Sequence, residues 1–207
     1  MVENLPVIGV HGKKRHGKDT IGAFVSAFSS NKKQYAFAGP VKEATSAIFG
    51  LPLSAMYEGD REKQDPFWEL SPRVMMQMVG TDCSRNVIRN DIWLKRAEQE
   101  LEKETLHTEL DDMSAFVVTD VRFDNEAAWV RDRGEVWHVI RPRLLTPDNV
   151  DAHASEAGIL EGPNDVIFIN DGSITELLGL VRHHLENCHG WNISSVEFDE
   201  YCKMVDK

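Results

Sequence analysis

The chain has 207 residues, with 23 Lys plus Arg against 34 Asp plus Glu and a formal net charge of −11. That length suits one ordinary domain with room for an inserted subdomain, and 42% apolar residues with only 8 prolines and 14 glycines exclude a disordered or fibrous chain. The acidic balance argues against a non-specific polynucleotide binder, no apolar run approaches the roughly 20 residues of a membrane span, and Cys83, Cys188 and Cys202 are too scattered for a disulfide framework or a thiolate zinc cage.

The opening MVENLPVIGV has no basic segment ahead of an apolar stretch, so a cytoplasmic address is expected. Charge is unevenly spread. Residues 1–43 carry seven cations, Lys13, Lys14, Arg15, Lys18, Lys32, Lys33 and Lys42, against Glu3, Asp19 and Glu43; this stretch is +4 and the remainder −15. A small anion site near the start fits that asymmetry better than a long nucleic-acid track.

In chain order, Leu5 to Val10 is a short β-branched run that breaks into a Gly- and Lys-rich loop, as a buried strand entering a turn does. From Lys18, the apolar residues Ile21, Phe24, Val25 and Phe28 recur at helical spacing. Tyr35 to Ala38 reads as a second strand, and a helix follows from Gly39-Pro40 to Gly50. Residues 51–72 form a long polar loop interrupted by prolines. Helical patterns resume at Pro72 to Val79 and at Ile92 to Leu106, with Met75, Met76 and Met78 expected as core filler. Three further strands are expected at Phe116 to Thr119, Val136 to Ile140 and Val166 to Ile169, with a helix around Glu126 to Asp132 between the first two. Residues 141–163 form a second long loop. Ser173 is placed to cap a helix through Leu185, and 194–205 adds another. Short, nearly continuous apolar runs separated by helices predict an α/β fold, with a parallel sheet of about five strands and helices on both faces.

The segment His11-Gly-Lys-Lys-Arg-His-Gly-Lys-Asp-Thr20 contains G-x-x-x-x-G-K between a strand and a helix, the context of a P-loop. Gly12 and Gly17 let the backbone curl so that successive N–H groups face phosphate oxygens, and the following helix adds its positive N-terminus. Lys18 supplies a point charge to the β- and γ-phosphates. Where Ser or Thr normally follows the lysine and ligates Mg²⁺, this chain has Asp19 and then Thr20. Either the carboxylate holds the metal or Thr20 does so in a shifted geometry. Lys13, Lys14 and Arg15 add more positive charge than a nucleoside triphosphate requires, which a second anionic group, such as a phosphate acceptor, would explain.

No NKxD guanine-reading motif is present, and the chain is short for a motor or transporter ATPase. The two polar insertions instead suit a phosphotransferase, which must clamp an acceptor and close over a donor to exclude water. Asp120, following Phe116-Val-Val, projects from a strand end, where a Walker B acid works. Arg122 could bridge donor and acceptor phosphates with its forked guanidinium, or form a local surface ion pair. Trp93 could stack on a base, although tryptophans in helices usually pack. Arg141 and Arg143 open the second loop, where they serve either as lid arginines over ATP or as ordinary surface charges. Asn170 to Ser173 either contacts adenine or turns the chain and caps a helix. His183, His184 and His189 near Cys188 carry no metal expectation, because adjacent histidines on a helix point to different sides.

Several separated segments resemble the phage-type deoxynucleoside monophosphate kinases, within the nucleoside monophosphate kinase group. They are Gly17-Lys-Asp-Thr20, Ala38-Gly-Pro-Val-Lys-Glu-Ala44, Met76-Gln-Met-Val-Gly-Thr-Asp82, Ile92-Trp-Leu-Lys95, Thr119-Asp-Val-Arg-Phe-Asp-Asn-Glu126, His138-Val-Ile-Arg-Pro142, His153-Ala-Ser-Glu-Ala-Gly158 and Asn170-Asp-Gly-Ser173. They run in family order over about residues 5–180, and the Asp19-Thr20 variant is itself a feature of the family.

The resemblance implies transfer of the ATP γ-phosphoryl to a deoxynucleoside monophosphate with Mg²⁺, giving the diphosphate and ADP. It implies that Arg15, Gly17, Lys18, Asp19 and Thr20 hold ATP and its metal, with Lys14 toward the acceptor phosphate. Lys42 and Arg61 are then acceptor-side cations, Arg73, Gly80, Thr81 and Trp93 the wall of the monophosphate pocket, and Asp120, Arg122 and Glu126 its polar floor. The expected organisation is one P-loop kinase domain over 1–207, with an acceptor-binding helical insertion at 40–112 and a lid loop at 141–163. Partners are the small-molecule substrates alone, with no polynucleotide and no membrane. A phage-encoded chain would act in the host cytoplasm. Relatives can be homodimers, but no heptad or apolar stripe demands it here. The alternatives are a P-loop kinase of another phosphorylated acceptor, such as dephospho-coenzyme A or phosphomevalonate, and a nucleotide-binding regulatory protein that has lost transfer.

Overall fold

The structure is a computed structural model in which residues 5–57, 59, 61–107, 110–144 and 158–206 are described. The chain divides into two compact units: Met1–Tyr35 with Glu100–Lys207, and Ala36–Gln99.

The first unit is built on a five-stranded, wholly parallel sheet in the order β2-β3-β1-β4-β5. Its strands are β1 (Val7–His11), β2 (Gln34–Tyr35), β3 (Phe116–Val118), β4 (Gly134–Ile140) and β5 (Val166–Ile169). β1 is central, with Ile8 opposite Val117 of β3 on one side and Glu135 of β4 on the other. The period-2 alternation of each strand sorts its side chains onto two faces. Ile8, Val10, Val117, Trp137, Val139 and Phe168 enter one core with Ile21, Phe24 and Val25 of α1 (Lys18–Phe28). α6 (Ile174–Cys188) adds Leu177, Leu178, Val181 and Leu185, and α7 (Ser195–Val205) adds Phe198 and Cys202. Each of those buried leucines contributes about 2 kcal/mol relative to exposure. The other face buries Val7, Phe116, Val118 and Val136, and α5 (Asp124–Arg131) packs there against β1 and β4. On that same face of the edge strand β5, Ile167 and Ile169 remain exposed.

This strand order creates the place for a site. The connection leaving β1 passes through α1, while that leaving neighbouring β3 passes through α5 on the opposite face. The carboxyl ends of β1 and β3 therefore flank a crevice of the kind where open α/β sheets bind ligands.

The second unit contains α2 (Ala38–Phe49), a 3₁₀ turn at Leu53–Met56, α3 (Pro72–Gln77), a π-helical continuation at Met78–Ile88, and the first half of α4 (Ile92–His107). Met56, Met75, Trp93 and Ala97 are buried. Ser71 caps α3, its hydroxyl accepting from Val74 N.

Three expectations need correction. The strand placed at Tyr35 to Ala38 is only Gln34–Tyr35, and α2 already starts at Ala38; Pro40 is tolerated in its first turn, where no N–H partner is required. The helix expected to stop at Val79 runs on to Ile88 as a π-helix, whose wider turn the α-helical period does not register. Met75 is core as expected, whereas Met78 is 43% exposed. Among the described residues, no helix is long and apolar enough to cross a membrane.

Candidate active site

The phosphate loop spans residues 12–17, between the end of β1 and the start of α1. Gly17 stands at the helix N-cap with φ +108, a left-handed conformation that a side chain resists. A Cβ there would also lie 2.8 Å from Asn170 Nδ2. Arg15 is itself left-handed at φ 66, and His16 N–H donates to Lys13 O at 3.1 Å, closing a turn. Alternation of right- and left-handed residues is how a backbone turns successive N–H groups inward, as an anion cradle requires. Lys13, Lys14 and Arg15 are exposed, and Lys18 is partly covered at the first position of α1. Lys18 Nζ donates to both Asp19 carboxylate oxygens, at 2.7 and 2.8 Å. The Asp19 side chain is 79% exposed, so its oxygens are accessible to a cation. Asp19 carboxylate and Thr20 hydroxyl are hard oxygen donors at the helix start, a donor set that fits Mg²⁺.

The loop and its entrance are braced by contacts that the P-loop pattern does not include. Asn170, just past β5, donates through Nδ2 to His16 O at 2.8 Å. His16 is buried, and its Nδ1 accepts from Arg141 N–H at 3.2 Å, as the neutral Nε2–H tautomer allows. Burial lowers the His16 pKa, more than the contact with the Val139 carbonyl raises it, with Lys13 and Arg141 adding to the lowering. His11, at the end of β1, donates through Nδ1 to Val121 O at 2.7 Å and is likewise held neutral, first by burial. Asn170 to Ser173 were singled out in the sequence for adenine contact or for a turn and cap; Ser173 does cap α6, its Oγ accepting from Glu176 N at 3.2 Å.

Asp120 lies two residues past β3. Thr119 N–H donates to Tyr35 O and Val121 N–H donates to Val10 O at 3.3 Å, so the segment stays paired beside the start of the phosphate loop. Asp120 is 7% exposed there, and Arg122 follows half-buried. Glu126, in the first turn of α5, is almost wholly buried, and its Oε2 accepts from Arg122 N at 2.8 Å and Phe123 N at 3.1 Å. It therefore fixes the backbone at Arg122, a task that its expected place in a pocket floor did not reveal. Arg141 directly follows β4. Of the expected lid loop, residues 145–157 lie outside the described residues, as does most of the His153 to Gly158 motif. Its return limb is tethered to α5, with Leu160 N–H donating to Asp124 Oδ1 at 3.0 Å and Arg131 clasping Asp165 in a bidentate pair at 2.9 and 2.6 Å.

The second unit holds the other candidates. Lys42 Nζ lies 4.0 Å over the Tyr57 ring. Arg61 and Arg73 share the Glu62 carboxylate, at 3.4 and 3.1 Å from its Oε1, and Arg73 N–H donates to Arg61 O at 2.8 Å. Trp93 is buried and donates through Nε1 to Gly80 O at 2.8 Å. A Cβ on Gly80 would lie 2.9 Å from Val41 Cγ1, so the missing side chain lets the π-helix approach α2 one residue from Lys42. Thr81 is half-buried next to it. Arg85, passed over in the sequence, is a buried cation of this π-helix, and its Nη1 donates to Asn90 O. Only the local failure of α-periodicity around Gly80 could have drawn attention to it.

Comparison with known proteins follows the same line. A family model described as deoxynucleotide monophosphate kinase matches residues 55–181. The deoxynucleotide monophosphate kinase of Enterobacteria phage T4 is 32% identical over 88% of this chain and 99% of its own length. A protein of Acanthamoeba polyphaga mimivirus provisionally given that name is 27% identical over 90% of this chain and 99% of its own. The deoxynucleoside-5'-monophosphate kinase of Escherichia phage T5 is 25% identical over 61% of this chain and 72% of its own.

Proposed function

The chain belongs to the deoxynucleotide monophosphate kinase family, and from that premise we propose how its residues divide the work. The protein is a kinase that transfers a phosphoryl group to a deoxynucleoside monophosphate. We take the donor to be ATP with Mg²⁺. The terminal phosphoryl leaves the β-phosphate oxygen and bonds to an oxygen of the acceptor phosphate, yielding ADP and the deoxynucleoside diphosphate.

In this reading the loop from Gly12 to Gly17 wraps the donor phosphates, Arg15 and Lys18 neutralise them, and Lys14 serves the acceptor phosphate. Asp19 and Thr20 hold Mg²⁺, which when bound neutralises phosphate charge. Asp120 and Arg122 act at the β3 end. Arg122 offers a planar fork to phosphate oxygens, and Glu126 fixes the backbone that carries it. Arg141 covers the donor. In the second unit, Lys42, Arg61 and Arg73 take the acceptor's anionic end, with Gly80, Thr81 and Trp93 around its nucleoside part. Phosphoryl transfer spreads charge over the equatorial oxygens, so positioning and charge neutralisation supply the catalysis without a covalent intermediate.

The observation that carries the donor assignment is the left-handed Gly17 at the head of α1, directly after a His16 carbonyl that accepts from Asn170 Nδ2. The test is ADP release from Mg-ATP with dGMP, dTMP, dCMP, dAMP, their ribose counterparts and dephospho-coenzyme A, with products identified chromatographically. Stoichiometric diphosphate from one or more deoxynucleotides supports the reading. Turnover with dephospho-coenzyme A alone would overturn the acceptor assignment.

A further inference from the structure

We propose that Glu135, His184 and His189 form a binding site for a zinc-class divalent metal ion, at the end of the sheet opposite the phosphate loop. Glu135 is the second residue of β4 and pairs with Ile8, whereas the phosphate loop begins past His11 at the other end of β1. His184 lies near the end of α6, and His189 is the residue that caps it.

Within a continuous helix, residues five apart face sides about 140° apart. α6 stops at Cys188, however, and His189 turns back toward His184, so that the two rings lie 5.4 Å apart, edge to face. His184 Nε2 is 2.8 Å and His189 Nε2 3.1 Å from Glu135 Oε2, and the three potential ligand atoms all lie within 4.8 Å of one another. A tetrahedral zinc with bonds of about 2.0–2.2 Å sets its ligands about 3.4 Å apart, so little widening is needed. His₂Glu is a donor set that suits zinc with a fourth position left to water.

Two further features point to a cation. Trp137 Nε1–H also donates to Glu135 Oε2, at 2.8 Å. Three N–H donors then converge on an oxygen with two lone pairs. An ion replacing the two imidazole protons relieves that crowding, because neutral imidazoles protonated at Nδ1 present their Nε2 lone pairs. Trp137 then keeps its bond and orients the carboxylate from behind, as outer partners do in metal sites. The His184 ring is also held, edge to face, against Trp137 at 5.4 Å and Phe168 at 5.9 Å. The second feature is access. An open depression of about 380 Å³ borders His189, lined also by Pro6, Asp111, Asp112, Ser114 and Gly190, and the Glu135, His184 and His189 side chains all keep some exposure, so an ion and a water ligand can reach them. A metal there would pin the end of α6 to β4, far from phosphoryl transfer.

The experiment uses the full chain, stripped by chelator, at neutral pH. Co²⁺ is titrated in and its visible absorption recorded, then Zn²⁺ is added. One Co²⁺ per chain is expected, with the strong bands of four-coordinate nitrogen and oxygen ligation, displaced by one Zn²⁺; an all-oxygen site at Asp19 would give only pale octahedral cobalt. Zn²⁺ alone should also raise the melting temperature. Replacing His189 by Gln, or Glu135 by Gln, should weaken binding about 100-fold or more and abolish the thermal shift, with near-ultraviolet circular dichroism confirming that each variant is folded. Cys188→Ser should bind normally. No Zn²⁺-displaceable Co²⁺ signal, undiminished binding in folded His189→Gln, or loss on Cys188→Ser with retention in His189→Gln would each overturn the proposal.

Discussion

Asn170 and His16 stand 154 residues apart in sequence, yet Asn170 Nδ2 donates to the His16 carbonyl at 2.8 Å and fills the space beside Gly17. The last strand of the sheet thereby holds the loop that follows the first. A neutral hydrogen bond of this kind contributes about 1 kcal/mol. Asn170→Ala should therefore raise the ATP dissociation constant about fivefold while leaving the acceptor KM nearly unchanged. Calorimetric titration with ATP measures the first and steady-state kinetics the second. Equal ATP affinity in the variant would mean that the loop keeps its shape without the brace.

Lys18 pairs with the Asp19 carboxylate at 2.7 Å, so each must exchange that partner for a ligand if the donor assignment is right. Lys18→Ala should lower kcat by about 100-fold or more, the scale of losing one preorganised charge at a reacting centre, without lowering the melting temperature. A pair whose carboxylate is largely exposed is worth little to stability, which makes the two readouts separable. Near-normal turnover would remove the phosphate loop from the mechanism.

The inner strands were legible because burial on both faces makes parallel strands into short apolar runs, as in Val7-Ile-Gly-Val and Phe116-Val-Val. The phosphate loop was legible because its glycines and lysine fall at fixed spacing within one short stretch, Gly12 to Lys18. Asn170 was visible only as a residue for adenine contact or a turn, since nothing local indicates that its amide reaches back to residue 16. The His184–His189 pair was discounted because helical geometry separates neighbouring histidines; that argument holds for His183 but fails where the helix ends, and only tertiary structure brings Glu135 there. The π-helix from Met78 was missed for a related reason, as α-periodicity cannot describe it. Arg61 and Arg73 lie in a loop and a helix start, and their meeting at Glu62 has no sequence period at all.

His11 gives a prediction on pH. Burial, outweighing the bond to Val121 O, lowers its pKa in the folded state, with His138, Arg122 and His16 adding to the lowering. The unfolded chain then takes up a proton near pH 6.5 that the folded chain refuses. Its contribution to stability is complete above about pH 6.5 and is lost as pH falls through the lower folded value. Urea midpoints should decline between pH 7 and pH 5, and His11→Gln should flatten that decline by no more than about 1.4 kcal/mol per pH unit. An unchanged slope would show that His11 takes up its proton equally in both states.

Arg122 is carried by a backbone that Glu126 holds at 2.8 Å. If its guanidinium bridges phosphates during transfer, Arg122→Ala should lower kcat more than it weakens ATP binding, and Arg122→Lys should restore little, because an ammonium lacks the planar fork. Glu126→Gln keeps an oxygen acceptor and should fall between wild type and Arg122→Ala. Kinetics with ATP and the preferred deoxynucleotide distinguish these cases, and a defect confined to ATP affinity would contradict the bridging role.

On the second unit, Glu62 is the carboxylate at which Arg61 and Arg73 meet, at 3.4 and 3.1 Å. Two guanidinium groups around one carboxylate leave a net positive charge, which in the proposed reading receives the acceptor phosphate. Arg73→Ala should raise the deoxynucleotide KM about tenfold or more, a loss of about 1.5 kcal/mol in a charge-assisted bond, with the ATP dissociation constant unmoved. Glu62→Gln should also raise that KM, because it releases both side chains from a fixed position, although it increases the net positive charge. The direction of this second effect is decisive. If Glu62→Gln instead lowers the KM, charge alone governs acceptor capture and the arginines need no positioning; if neither variant moves it, the acceptor phosphate is held elsewhere.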